Sequence, residues 1–141
     1  MMQGLFLEEL SVGQTADLVR TVGEADIIAF AAVTGDNNPV HLDPDYAATT
    51  SFGERIAHGM LSAGYISAVI GTTLPGPGAI YLSQALRFKR PVKIGDEVTA
   101  RATITEIDTA KARVTLATVC LVKGKPVVEG EALIMVPRKA G

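Results

Sequence analysis

The second half of the chain alternates apolar and polar side chains in a pattern that predicts antiparallel strands. The period of two is clearest from Val98 to Ile104, where alternate positions are apolar and threonine or arginine stands between them. Such segments, rich in β-branched residues, are typical of strands that bury one face. We therefore predict strands over residues 15–22, 80–90, 97–107, 112–122 and 127–136. The connections at 94–96, 108–111 and 123–125 are short enough for the last four strands to pair in order as a meander.

Two segments of the first half are predicted to be helical. Residues 24–34 carry apolar side chains at helical spacing, and Gly35 follows as a residue suited to the left-handed conformation that ends a helix. The start of this helix has two interpretations, a capping box from Thr21 or a boundary at Gly23. Residues 61–71 are apolar on nearly every side, which is typical of a helix buried in the core.

The segment between these helices places an acid and one of the two histidines on either side of a bend. Asn38 precedes Pro39, so the helical conformation is disfavoured for Asn38 and the chain must turn there. Such a turn can direct Asp36 and His41 into one cleft, where the pair can hold a water molecule and move its protons near neutral pH. A polar turn without catalytic function is the alternative interpretation, because Asp and Asn are common in turns. A short helix with Asp43 as its N-cap is predicted to follow.

His58 and Gly59 directly precede the buried helix and include the second histidine. They would lie at its N-terminus, where unpaired backbone N–H groups and the helix dipole favour negative charge. An oxyanion can bind there, and Gly59 lets a carbonyl oxygen approach the backbone closely. The alternative is that His58 is a structural residue with satisfied hydrogen bonds. The apolar stretch 57–74 is nearly as long as a membrane span, but its glycines and serines and the missing basic flanks favour a core helix.

Three motifs occur in an order that resembles a known family. They are Gly-Asp-x-x-Pro-x-His at residues 35–41, Ala-His-Gly-Met at 57–60, and Phe-x-x-Pro-Val-x-x-Gly-Asp-x-Val at 88–98. Over almost its whole length the chain is similar to the MaoC-like hydratases, closest to the (R)-specific enoyl-CoA hydratases. The resemblance implies one α+β domain over residues 1–141 with the hot-dog fold, in which an antiparallel sheet wraps a long central helix. It also implies hydration of trans-2-enoyl-CoA to (R)-3-hydroxyacyl-CoA, a reaction of fatty acid metabolism that supplies polyhydroxyalkanoate precursors.

The resemblance also gives a role to particular residues. It implies that Asp36 and His41 are the acid/base pair, and we expect Asp36 to be the principal general base and His41 to position the water and share in the protonation step. From its place at the helix start, the backbone N–H of Gly59 is expected to stabilise the negative charge on the thioester oxygen. Ser67 is expected to hydrogen-bond the catalytic carboxylate, in preference to Ser62, although a helical serine can also bond back to its own helix. The resemblance further implies a homodimer and an acyl-CoA thioester substrate, with coenzyme A as part of the substrate and not a cofactor.

Composition limits the other classes of function. The chain has 141 residues, of which 48% are hydrophobic, enough for a core without disulfides or metals. With 13 basic and 15 acidic residues, the net charge of −2 provides no general attraction for nucleic acid or an anionic membrane. Cys120 is the single cysteine and no targeting segment is visible, so the cytoplasm is the expected location. No metal-ligand spacing and no Gly-rich phosphate loop is visible, so neither a metal nor a nucleotide cofactor is expected.

Three other functions stay open. A dehydratase for 3-hydroxyacyl thioesters, including those of acyl carrier protein, would use the same acid/base pair in reverse. A hot-dog thioesterase commonly carries a carboxylate on the central helix, but residues 59–74 contain no Asp or Glu. A non-catalytic acyl-thioester-binding subunit would be expected to lack Asp36 or His41. The basic side chains within residues 87–93 can meet the phosphates of coenzyme A, or they can simply form the outer face of an edge strand.

Overall fold

Five antiparallel strands form one sheet against a long helix in the computed structural model, which describes residues 3–140. The strands are β1 (Thr15–Thr21), β2 (Ile80–Phe88), β3 (Glu97–Asp108), β4 (Arg113–Val122) and β5 (Lys125–Met135). The helices are α1 (Glu24–Thr34), α2 (Pro39–Leu42), α3 (Pro44–Ala48) and α4 (Gly59–Thr72), and a 3₁₀ turn covers Leu7–Glu9. This arrangement of a sheet around one central helix confirms the predicted α+β hot-dog fold.

The order of strands across the sheet is β1-β3-β4-β5-β2. The predicted meander is correct for β3, β4 and β5, but it is wrong for β2, which pairs with β5 instead of β3. Residues 89–96 instead cross the end of the sheet, over three strand spacings or about 14 Å. An extended segment of this length can span roughly 26 Å, so a connection short enough for a hairpin is also long enough for the crossing. β1 and β2 are therefore the two edges of the sheet.

The central helix α4 lies on the sheet and contacts β1, β3, β4 and β5. Its buried side includes Ile66 and Val69, which meet the alternating apolar residues of β3. Val98, Ala100 and Ala102 on that strand are fully buried, and the two small alanines leave room for the helix to approach. Burial of these apolar faces supplies the main stabilisation of the fold. No helix within residues 3–140 combines the length and the apolar character needed to cross a membrane.

Helix α1 precedes the candidate site, and its last residue sets where the loop that carries Asp36 begins. It starts after Gly23, the second of the two predicted boundaries. The Gly23 N–H donates to the Asp26 carboxylate at 2.8 Å, which satisfies a backbone donor at the helix start. At the other end Gly35 has a φ of 81°, a left-handed conformation that costs little for glycine. The predicted helix stop is thus confirmed.

We expect Ile66→Ala to lower the free energy of unfolding by about 2–5 kcal/mol, because it removes atoms from a closed core and leaves a cavity. Ile66 is 1% exposed, whereas Ile28 on α1 is 52% exposed. The same substitution at Ile28 should change the free energy of unfolding by no more than about 0.5 kcal/mol. Urea unfolding followed by circular dichroism measures both values. Equal losses at the two positions would contradict this description of the core.

Candidate active site

Asp36 lies in an exposed loop between α1 and α2. Its N–H donates to the Thr34 hydroxyl at 3.1 Å, and its carboxylate accepts the Asn38 N–H at 3.3 Å. The Asn38 side chain in turn accepts the Val40 N–H at 3.1 Å, so Asn38 is the N-cap of α2 and Pro39 its first residue. The predicted bend at Asn38-Pro39 is therefore the start of a one-turn helix.

The short helix α2 carries His41 into the interior of the protein. The His41 Nδ1–H donates to the Ile56 carbonyl at 2.8 Å. Because a carbonyl oxygen can only accept, the proton of the neutral ring is on Nδ1, and Nε2 carries a lone pair. The backbone is also held, since the Arg55 Nε–H donates to the His41 carbonyl at 2.7 Å. The Arg55 guanidinium binds both carboxylate oxygens of Glu24, at 2.8 and 3.0 Å, and so links α2 to the start of α1.

His58, the N-cap of α4, contacts both members of the predicted pair. Its ring stacks on the His41 ring with 3.9 Å between the centroids. Its Nε2–H donates to the backbone carbonyl of Asp36 at 2.9 Å. One possible ligand atom from each of Asp36, His41 and His58 lies within 4.8 Å of the others. The structure thus brings the two histidine motifs together, and it adds a contact between His58 and Asp36 that the sequence pattern does not predict.

An aspartate with two histidines is also a common set of metal ligands, so the geometry of this cluster matters. A metal ion lies near the plane of each ligating ring, because the nitrogen lone pair points in that plane. The rings of His41 and His58 are stacked only 30° from parallel, so their lone pairs do not converge on one point. His58 also uses Nε2 as a donor to Asp36. The cluster is therefore better suited to hydrogen bonding and proton transfer than to a metal centre.

A cavity of about 370 Å³ opens beside His41. Its walls include the apolar side chains of Phe52 and Val92, as well as Gly59, the first residue of α4. Within the part of the chain that the structure describes, the Gly59 N–H has no hydrogen-bond acceptor. An unpaired N–H at a helix N-terminus can donate to an oxygen of a ligand. Asp36 is not among the residues that line this cavity, but it belongs to the same cluster as His41, which does line it.

Phe88, at the end of β2, covers the start of α4. A methyl group added to Gly59 would lie 2.8 Å from two carbons of the Phe88 ring. Glycine is therefore the residue that lets the ring and the helix backbone approach this closely. Phe88 lines the cavity together with Gly59, and the residue is 53% exposed to solvent.

The two serines of α4 lie on different sides of the helix. Ser62 is 2% exposed and lines the cavity with His41 and Gly59. Ser67 follows five residues later, about 140° around the helix, and is exposed. Within one chain, the structure does not bring Ser67 to the cavity. Its bond to the catalytic carboxylate stays a prediction that rests on the resemblance.

Two of the four basic residues within 87–93, for which the sequence left open a contact with phosphates or an outer strand face, line the cavity. They are Lys89, which is 3.1 Å from Glu129, and Arg90, which donates to the Pro126 carbonyl at 2.9 Å. Their charge at the cavity mouth is suited to an anionic group of a ligand. The other two, Arg87 and Lys93, do not line the cavity.

Cys120 on β4 faces α4 and is fully buried, which confirms its predicted role as a small core residue. Its thiol donates weakly to the Ser62 carbonyl, with 3.5 Å between sulfur and oxygen. Burial raises the pKa of the Cys120 thiol to about 12. The thiol is therefore protonated at neutral pH and is not a nucleophile.

The sheet packed around α4 defines a protein of the hot-dog class, and its fold brings Asp36 and His41 together beside the N-cap of α4. The family model described as MaoC like domain matches residues 9–125. The chain belongs to this family.

Individual relatives match along most of the chain. An (R)-specific enoyl-CoA hydratase from Rhodospirillum rubrum is 56% identical over 95% of this chain and 93% of that protein. A 3-hydroxybutyryl-CoA dehydratase from Methylorubrum extorquens is 49% identical over 96% of this chain and 86% of that protein. The solved structure of the unliganded R-hydratase PhaJ1 from Pseudomonas aeruginosa superimposes with a TM-score of 0.92 and 54% identity, covering 98% of this chain and 89% of that one.

Proposed function

We propose that this protein is an (R)-specific enoyl-CoA hydratase, which adds water to trans-2-enoyl-CoA and yields (R)-3-hydroxyacyl-CoA. The observation that carries this proposal is the arrangement of Asp36 and His41. The Asp36 carboxylate and the lone pair on His41 Nε2 are both acceptors, and the two side chains belong to the cluster within 4.8 Å. A water molecule can donate one hydrogen to each acceptor, so the pair is suited to orient and deprotonate one water.

Hydration requires a base for the water, a proton for C2 and a donor for the thioester oxygen. In the proposed mechanism Asp36 accepts a proton as the water oxygen bonds to C3. The electron pair of the double bond then moves toward the thioester carbonyl, whose oxygen accepts a hydrogen bond from the Gly59 N–H. The proton held by the Asp36–His41 pair returns to C2, so one water supplies both added groups. In this mechanism coenzyme A enters as part of the substrate and not as a cofactor.

Two relatives support the stereochemistry of this proposal. The names of the hydratases from Rhodospirillum rubrum and Pseudomonas aeruginosa both specify the R configuration. A role in fatty acid metabolism and in the supply of polyhydroxyalkanoate precursors is part of the same proposal, as is a location in the reducing cytoplasm. The free, buried Cys120 is consistent with that location.

The second candidate is a dehydratase that removes water from 3-hydroxyacyl thioesters. One relative is named 3-hydroxybutyryl-CoA dehydratase, and another, from Solanum lycopersicum, is named for the acyl-carrier-protein thioester. The same pair of side chains catalyses both directions, because an enzyme accelerates a reaction and its reverse equally. A thioesterase is disfavoured because α4 carries no carboxylate, and a non-catalytic subunit is disfavoured because both Asp36 and His41 are in place.

A direct test is to mix the purified protein with crotonyl-CoA and to follow the ultraviolet absorbance of the conjugated enoyl thioester. Hydration removes this absorbance, and chiral analysis should then identify the (R) alcohol. Release of free thiol without loss of the conjugated double bond would instead support a thioesterase. The (S) product would contradict the stereochemical part of the proposal. Matched assays with 3-hydroxybutyryl thioesters of coenzyme A and of acyl carrier protein separate the two candidate substrates.

We also propose that the working unit is a homodimer that joins through the β2 edge. β2 has one strand neighbour, β5, so its other side presents unpaired backbone groups that can pair with a second strand. This edge also exposes apolar side chains, with Ile80 56%, Tyr81 38% and Leu82 39% exposed. Covering such an edge with a second copy would bury both the apolar side chains and the free backbone groups.

Leu82→Lys is expected to convert the dimer to a monomer, because it places a charge at the proposed interface. Val19→Lys on β1 is the matched control, since Val19 is 52% exposed on the opposite edge of the sheet. Light scattering during size-exclusion chromatography gives the molar mass of both variants at micromolar concentration. A wild-type monomer, or dissociation by Val19→Lys alone, would exclude the β2 edge as the interface.

A further inference from the structure

The loop that carries Asp36 is held mainly by hydrogen bonds to its own neighbours. The Asp36 N–H donates to Thr34, the Asn37 N–H donates to Gly35 at 3.0 Å, and the Asn38 N–H donates to Asp36 itself. Each of these bonds joins residues two positions apart. Within residues 3–140, the hydrogen bond from His58 Nε2 to the Asp36 carbonyl is the one that connects this loop to a distant part of the chain.

His58 is itself rigidly placed. It is 2% exposed, and its ring lies against Phe30 with 4.7 Å between centroids and against His41 with 3.9 Å. Its backbone is the N-cap of α4, so its position follows that of the central helix. The hydrogen bond therefore attaches an exposed loop to one of the most buried parts of the fold.

The second ring nitrogen of His58 shows that packing alone does not account for this residue. Nδ1 is buried and has no hydrogen-bond partner among the described residues. Buried polar atoms are normally paired, because an unpaired one loses its hydrogen bonds to water without compensation. An apolar side chain would fill the same space without this cost. Among the described residues, the one hydrogen bond of the His58 side chain is the bond from Nε2–H to the Asp36 carbonyl.

We propose that His58 is a positioning residue that sets the Asp36 carboxylate relative to His41. One rigid ring fixes the backbone of Asp36 through its Nε2–H and packs on the face of His41, although these two residues lie on different elements. The proposal rests on the proposed hydratase function, in which Asp36 and His41 act on one water. Loss of the bond would leave substrate binding in place and displace the base from the water.

Gln and Met at position 58 provide a matched pair of variants. Their side chains have similar length and shape, but only Gln carries an N–H that can reach the position of Nε2. We expect His58→Gln to retain kcat for crotonyl-CoA within about tenfold of wild type, and His58→Met to lose on the order of 100-fold, as for a misplaced reacting group. KM should change by less than about threefold in both, because the lost interaction concerns positioning and not substrate binding.

His58→Asn is a second control, because its N–H lies closer to the backbone, near the position of Nδ1. It should behave like His58→Met although it is a polar amide like Gln. Thermal unfolding of all three variants shows whether each is folded at the assay temperature. If His58→Met does not fold, the comparison of Gln with Asn decides the same question.

Amide hydrogen exchange of residues 35–41 gives a readout that does not need turnover. His58→Met should increase exchange in this loop relative to His58→Gln, while exchange in the β strands is unchanged. Equal kcat and equal loop exchange in the Gln and Met variants would overturn the positioning role. A wild-type protein that does not hydrate crotonyl-CoA would instead overturn the proposed function, and loop exchange would still decide whether His58 holds Asp36.

Discussion

Asp36→Asn and His41→Gln are each expected to reduce kcat for hydration of crotonyl-CoA by about 10²–10⁴-fold, the usual effect of losing a general acid or base. Both side chains accept hydrogens of the same water in the proposed mechanism, so either change removes its activation. The double variant should therefore lose little more than either single variant, because residues that act as a unit are not additive. Steady-state kinetics on the wild type, the two single variants and the double variant measures how far the two losses in kcat depart from additivity.

The fold should survive these changes. Asn at position 36 keeps an oxygen that can accept the Asn38 N–H, which the Asp36 carboxylate accepts in the wild type. Asp45→Asn is a matched control, since it makes the same change at an exposed carboxylate on α3 and should leave kcat near the wild-type value. Fully additive losses in the double variant, or near-normal turnover in either single variant, would argue against a shared water.

Removal of the Gly59 N–H is expected to cost about 10²–10³ in kcat, which corresponds to roughly 3–4 kcal/mol of transition-state stabilisation. Gly59→Pro removes this donor, and proline is tolerated in the first turn of a helix. The preceding residue is already compatible, because His58 has an extended backbone with ψ of 132°. Any side chain at position 59 would also meet the Phe88 ring, since an added methyl group lies 2.8 Å from it.

A Phe88→Ala background separates the steric effect from loss of the donor. Gly59→Ala alone should lower activity by displacing the Phe88 ring, and the double variant with Phe88→Ala should recover to the level of Phe88→Ala itself. In the same Phe88→Ala background, Gly59→Pro does not clash with the missing ring but lacks the N–H. Its kcat should therefore be about 10²–10³-fold lower than that of Phe88→Ala alone. If the proline and alanine variants hydrate crotonyl-CoA equally well in this background, Gly59 does not form the oxyanion hole.

The tautomer of His41 shows how tertiary contacts complete a chemical prediction. The motif at residues 35–41 predicts an acid/base pair, but it does not indicate which ring nitrogen is free. The Ile56 carbonyl decides this by accepting the Nδ1–H, and Ile56 lies outside the motif. Arg55, beside it, holds the His41 carbonyl and Glu24. No periodicity or short motif marks Arg55 for this role, because the contact joins three separate segments.

The sequence by itself determined the elements whose signals are local. Alternation along the strands, the left-handed stop at Gly35, the bend at Asn38 and the N-cap at Asp43 depend on neighbouring residues, because side-chain period and capping act over a few positions. The family motifs likewise identified Asp36, His41 and Gly59 as candidates.

Only the tertiary structure decided which distant segments meet. It placed β2 at the far edge of the sheet, Ser62 and not Ser67 in the cavity, and His58 against the Asp36 carbonyl. In the sequence, the one feature that pointed to His58 as a partner of the Asp36–His41 pair was that it is the second of only two histidines. Such pairings depend on how the sheet and α4 pack as a whole, and local patterns of apolar and polar residues are compatible with several of these packings.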